Sequence, residues 1–157
     1  MFSKNCEYGI RAMIFISQKS SEGNKVGVKE ISNGIDSPEH FIAKILQDLS
    51  RKGLLSSYKG PNGGFFIPKE SSLTLADIVK AIDGDKLFVN CGLGLGYCSE
   101  SKPCPIHHEF KIIRNNISEM LHTSKLNEFN DLLKNKMTHL RLSGFPECDK
   151  LITNNDN

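Results

Sequence analysis

The chain has no apolar run approaching the roughly 20 residues that a membrane-spanning helix requires, so no membrane partner is expected. Its opening residues, Met1-Phe2-Ser3-Lys4-Asn5-Cys6, lack the apolar stretch of about 7–15 residues of a secretory signal, which makes the cytoplasm the expected location. A strong charge of one sign is also missing. The net charge is only +2, too small to name a partner by itself. The distribution says more, because residues 1–69 carry ten Lys/Arg against six Asp/Glu and the remainder ten against twelve. The N-terminal half is therefore the better surface for a polyanion.

Cysteine is present and unevenly placed. Three of the five cysteines, Cys91, Cys98 and Cys104, fall within fourteen residues, in a stretch that also holds Gly92, Gly94 and Gly96. Glycine lets a backbone curl around a bound centre without the steric cost of a Cβ. Clustered thiols in a chain without an export signal point to metal or redox chemistry rather than structural disulfides. Thiolates suit zinc and iron-sulfur clusters, and three of them leave a four-coordinate centre one ligand short. Cys6 and Cys148 lie far from this group and read as small buried or incidental thiols.

Along the chain, Ile10, Met13 and Ile14 recur at helical spacing over Tyr8 to Gln18, and Val28, Ile31 and Ile35 mark a short second helix. Ser37-Pro38-Glu39 has the composition of a helix start, with Ser37 as the expected cap, and Gly53 of a helix end. Between them Ile42, Ile45, Leu46 and Leu49 form a core stripe. Leu54 to Tyr58 and Phe65 to Pro68 flank a Gly/Pro/Asn turn and predict a β-hairpin. A helix capped by Thr74 and ending at Asp83-Gly84 follows. Beyond the cysteines, Phe110, Ile113, Ile117, Met120 and Leu121 keep helical period on a long helix, and Thr123 or Ser124 is the expected cap of a last helix carrying Leu126, Phe129, Leu132 and Leu133.

Three helices and a hairpin are the order of a winged helix-turn-helix, whose third helix enters the DNA major groove while the hairpin tip meets the backbone. The expected fold is thus mainly α with a small β-hairpin: a winged helix-turn-helix followed by a long C-terminal dimerisation helix. The candidate DNA-binding residues are Ser37, Glu39, His40, Lys44 and Gln47 on the third helix and Lys59 and Asn62 on the wing, side chains suited to base edges or phosphates. The long helix has little of its own chain to cover an apolar stripe, which points to a homodimer.

The opening Cys6-Glu7-Tyr8-Gly9-Ile10-Arg11-Ala12, the run from Leu49 to Ser57, the wing Lys59-Gly60-Pro61-Asn62-Gly63-Gly64-Phe65 and the late triple cysteine together resemble the IscR/NsrR family of bacterial winged-helix transcription regulators, over roughly Met1 to Leu133. The resemblance implies a homodimer that binds near-palindromic promoter DNA and dimerises through the long helix. It also implies a cluster of two or four irons, the two-iron form being favoured, on Cys91, Cys98 and Cys104, with a response to redox, nitric oxide or iron-sulfur status. In the IscR branch a histidine three residues after the last cysteine completes the ligands, and His107 stands there; in the NsrR branch an acidic residue before the first-helix tyrosine does so from the partner subunit, and Glu7 stands there. Of the two, His107 is preferred, because a carboxylate is a harder and more easily displaced ligand. One departure from the family pattern is six residues between Cys91 and Cys98 instead of five, which a glycine-rich loop absorbs at small entropic cost.

Residues 1–85 are expected to form the winged helix-turn-helix domain, 86–104 the cysteine-rich cluster-binding loop, 105–141 the dimerisation helix with a following short helix, and 142–157 a polar, disordered tail. Other readings stay open: a cluster-free regulator working through thiols or zinc, or a zinc-stapled interaction module of the same architecture. An enzyme is not expected. Glu100 is the only acid inside the loop, and neither an evident general base nor a nucleophile-base pair appears.

Overall fold

The computed structural model describes residues 1–143; Cys148, and all of the polar tail from residue 144 onward, lie outside the described residues. No helix among the described residues is long and apolar enough to cross a membrane.

Helix α1 runs Lys4–Ser21, longer at both ends than its apolar period indicates, because Ser3 caps it by accepting a hydrogen bond from the Cys6 N–H at 3.1 Å. It buries Cys6, Ala12, Met13 and Ile16. Helix α2 is Val28–Gly34 and α3 is Glu39–Arg51, with Ile42, Ile45, Leu46 and Leu49 turned inward as their spacing demands. The start of α3 corrects one expectation. Pro38 occupies the capping position and no side chain caps the helix. Ser37, one residue too early, is buried, where its Oγ donates to the Ile35 carbonyl and accepts from Arg11, each at 3.3 Å. Arg11 also donates to the Ile35 carbonyl at 2.8 Å, so the turn between α2 and α3 is pinned from α1.

The wing is an antiparallel pair, β1 Ser56–Tyr58 and β2 Gly64–Phe66, with Ser57 opposite Phe65. Phe65 also exchanges two backbone hydrogen bonds with Val26, at 2.8 and 3.0 Å. That close approach explains the paired glycines. A Cβ on Gly63 would sit 2.2 Å from the Tyr58 carbonyl oxygen, and one on Gly64, whose φ is 145°, 2.8 Å from the backbone of Val26.

Helix α4, Leu75–Asp83, is capped by Thr74 and Asp77 in a reciprocal capping box and ends at Gly84, φ 72°, as the sequence predicts. A single-turn helix, α5 Lys86–Val89, comes next; one turn is too short for a hydrophobic period to reveal. The long helix is α6, His107–Thr123, and a 3-10 turn at Leu126–Phe129 leads into α7, Asn130–Lys134. Neither Thr123 nor Ser124 caps this last segment. Thr123 still belongs to α6 and its hydroxyl donates to the Glu119 carbonyl at 2.9 Å, while the Ser124 carbonyl accepts the Leu75 N–H at 3.0 Å.

One core joins these elements: Met13 and Ile16 of α1, Ile31 of α2, Ile42, Leu46 and Leu49 of α3, and Ile78 and Val79 of α4 pack with Leu121 and Leu126 from the C-terminal part. Because Leu46 is fully enclosed, Leu46→Ala is expected to cost about 2–5 kcal/mol by chemical denaturation, through lost burial plus the cavity left behind. Lys44→Ala, two residues away but exposed, should fall within about 0.5 kcal/mol of the wild type in the same measurement.

Candidate metal centre and nucleic-acid interface

The chain between α5 and α6 closes into a small hairpin. The Cys98 N–H donates to the Val89 carbonyl at 2.9 Å, the Cys91 N–H to the Gly96 carbonyl at 2.7 Å, and Asn90 pairs with Tyr97. Gly94 and Gly96 turn the tip with φ of 72° and 83°, values that disfavour any residue with a Cβ. The six residues between Cys91 and Cys98 are thus taken up in a hydrogen-bonded turn. Helix α6 holds this hairpin at two points. Arg114, buried, donates to the Asn90 carbonyl at 3.1 Å, and the ring of Phe110 lies so close to Gly92 that a Cβ there would sit 2.8 Å from it.

His107, first residue of α6, is only 2% exposed. Its N–H donates to the Cys104 carbonyl at 3.0 Å, and its Nδ1 lies 3.1 Å from the Cys98 sulfur. Its Nε2 is 3.1 Å from Glu100 Oε2, within ion-pair distance but without hydrogen-bond alignment. The other Glu100 oxygen bonds Lys111, and Lys111 first, then His107, hold the Glu100 carboxyl below its ordinary range. Cys91 and Cys104 touch. The N–H of Leu93 and the Cys104 thiol help to lower the Cys91 thiol from its ordinary range, while burial and the neighbouring Cys91 sulfur raise that of Cys104. Cys6 is a contrast: burial first, and Asp83 beside it, push its thiol up to about 12, the state of an inert core cysteine.

Cys91 and Cys98 on the hairpin, Cys104 beyond it and His107 at the start of α6 offer three sulfurs and one imidazole, donors of the kind that suit an iron-sulfur cluster or zinc; the contacts among them run from Cys98 to His107 and from Cys91 to Cys104. The group of three whose ligand atoms all lie within 4.8 Å of one another is a different one, Glu100, His107 and His108. Glu7 lies on the first turn of α1, and its described partner is Lys4, at 2.7 Å.

Glu39, His40, Lys44 and Gln47 are exposed on α3, and Lys59 and Asn62 stand exposed on the wing. Ser37 lies apart from this face, under Arg11. A cleft of about 410 Å³ between α3 and the wing is lined by Gln47, Arg51, Tyr58 and Lys59. Arg51 extends the exposed stripe by one further turn, and the helical period from Lys44 and Gln47 is the signal that identifies it. Lys25 lies 4.8 Å above the Tyr58 ring and adds a second cation to the wing, which only the Val26 pairing brings there.

The model of a family described as iron-dependent transcriptional regulators matches residues 2–132. The chain belongs to this family, Rrf2. Among relatives, the transcriptional regulator IscR of Escherichia coli is 26% identical over 138 residues, covering 87% of this chain and 82% of that protein. The transcriptional regulator NsrR of Oceanobacillus iheyensis is 24% identical over 143 residues, covering 90% and 95%. Among solved structures, CymR, the global cysteine regulator of Bacillus subtilis, superposes with a TM-score of 0.69 at 22% identity over 83% of this chain and 96% of that one. The fold is the winged helix of the Rrf2 regulators, and the chain is a transcription regulator, not an enzyme.

Within this Rrf2 fold the sequence motifs do not reveal what anchors the cysteine hairpin, because Phe110 and Arg114 read as one more helical apolar position and one more surface cation. Gly92→Ala is expected to push the hairpin off Phe110 and speed amide hydrogen exchange at Cys91 and Cys98; adding Phe110→Ala should restore part of the protection. Simple additivity of the two substitutions would contradict this contact.

Proposed function

We propose that the chain is a cytoplasmic, homodimeric DNA-binding regulator that holds an iron-sulfur cluster, with two irons favoured, on Cys91, Cys98, Cys104 and His107. Its DNA affinity would follow redox, nitric oxide or iron-sulfur status. The observation that carries the cluster reading is the imidazole of His107 buried 3.1 Å from the Cys98 sulfur. The names of the IscR and NsrR relatives support it. When bound, the cluster supplies a centre whose oxidation or loss changes what ties the hairpin to α6.

The chain's own residues carry such a change onward. Arg114 and Phe110 hold the hairpin against α6. The far end of α6 is tied to the start of α4 by hydrogen bonds from Leu75 to Ser124 and from Leu126 to Leu73, both 3.0 Å. Helix α4 packs on α1 and α3. A dimer is supported by the apolar side chains left open on this half of the molecule: Leu93, Leu95 and Tyr97 on the hairpin and Ile112, Ile113 and Met120 on α6, with Tyr97 80% exposed. Residues 1–85 would then read DNA, 86–104 hold the cluster and 105–141 dimerise, with Glu7 of a partner subunit as the alternative fourth ligand. Any signal must stabilise one dimer geometry over the other to alter DNA affinity.

A second reading, a cluster-free regulator switching through thiols, is favoured by the contact between the Cys91 and Cys104 side chains. Both readings use the same DNA face: Glu39, His40, Lys44, Gln47 and Arg51 on α3 with Lys59 and Asn62 on the wing. Binding to a palindromic promoter fragment should weaken steeply as salt rises, and Lys44→Ala or Lys59→Ala should weaken it at every salt concentration and flatten the slope by about one. Titrations across a salt series check this; salt-insensitive binding, or variants that bind as tightly as the wild type, would contradict it.

A further inference from the structure

We infer that Glu100 is a positioning residue for the metal centre, holding the Nε2 edge of His107 so that Nδ1 is presented to the cluster, with Lys111 holding Glu100 in turn. The inference rests on the cluster reading above and adds a residue outside its ligand set.

The two ring nitrogens of His107 face different neighbours. Nδ1 is 3.1 Å from the Cys98 sulfur, and Nε2 is 3.1 Å from Glu100 Oε2. A neutral imidazole offers a lone pair on one nitrogen only when the other carries the proton. The Glu100 carboxylate stands within ion-pair distance of Nε2 but out of hydrogen-bond alignment, so it acts through its charge, which favours the proton on Nε2 and leaves the Nδ1 lone pair for metal. Ligating histidines generally have such an outer partner, which fixes ring orientation and makes the imidazole a better donor. The burial pattern is not that of an incidental surface pair. The His107 side chain is 2% exposed and that of Glu100 61%, so a solvated carboxylate has been turned inward onto a buried ring. Its second oxygen is bonded to Lys111, one turn beyond His107 on α6, which fixes the carboxylate from the same helix that carries the ligand. The competing assignment is a separate ion on Glu100, His107 and His108, whose ligand atoms lie within 4.8 Å of one another; such an ion would occupy the Nε2 edge itself.

The test uses the full-length protein purified anaerobically, as wild type, Glu100→Ala, Glu100→Gln and His108→Ala, and measures the rate of cluster loss to a chelator and the midpoint potential. Melting of the cluster-free proteins serves as the folding control, since an exposed carboxylate contributes little to the core. Glu100→Ala should lose its cluster about 10–100-fold faster than wild type. Glu100→Gln, which keeps an acceptor oxygen but not the charge, should retain iron and sulfide and show a higher midpoint potential. His108→Ala should match the wild type. Wild-type loss rates and potentials in both Glu100 variants would overturn the inference while leaving the cluster reading intact. A zinc ion bound beside the cluster and lost in His108→Ala would overturn it in favour of the separate site. Wild-type protein without iron and sulfide would overturn the cluster reading and this inference with it.

Discussion

The hairpin between α5 and α6 has no core of its own, and α6 holds it in place through His107, Phe110 and Arg114. His107 is buried between a cysteine sulfur and a carboxylate, the Phe110 ring lies so close to Gly92 that a Cβ there would displace it, and Arg114 reaches the Asn90 carbonyl. Neutral hydrogen bonds at a surface loop each add only about a kilocalorie, so the arrangement depends on these contacts acting together. A loop secured this way has few independent ways to rearrange.

From α6 the path to the DNA face is short and made of packed elements. Leu121 and Leu126 belong to the same core as Met13, Leu46 and Ile78, so the C-terminal helices and the winged helix share an interior. That sharing separates this arrangement from two units joined by a flexible linker. The turn between α2 and α3 is held from two sides, by Arg11 from α1 and by Arg141 and Ser143, whose bonds to Asp36 bring the C-terminal segment onto the same turn. Those bonds, from Ser143 first, pull the Asp36 carboxyl down to about 2.

Much of the fold is legible in the sequence. The stripe of Ile42, Ile45, Leu46 and Leu49 places α3, and the adjacent glycines at 63 and 64 place the wing, because in both cases the backbone geometry permits few alternatives. Capping is less legible. Ser37 has the right chemistry at the wrong position, since Pro38 delays the start of α3 and Arg11 and the Ile35 carbonyl compete for the hydroxyl; Thr123 stays inside α6 because that helix runs on for one more residue. At the candidate centre, cysteine spacing and the position of His107 are what the sequence offers, and the structure sets Cys98 against His107 and Cys91 against Cys104. The outer contacts are not readable in this way. Glu100 meets His107 and Lys111, and Arg114 meets Asn90, through a hairpin whose closure depends on pairing across several residues rather than on any local motif. Arg51 was within reach of the helical period and Lys25 was not, because its place on the wing depends on the pairing of Val26 with Phe65.

The central claim is that the three cysteines and His107 hold an iron-sulfur cluster, and the most direct measurement is the iron and acid-labile sulfide content of the full-length protein purified without oxygen, together with its visible absorption. The account predicts iron and sulfide in equal amounts and a broad thiolate-to-iron absorption. Zinc without sulfide, or metal-free protein with no visible absorption, would contradict it.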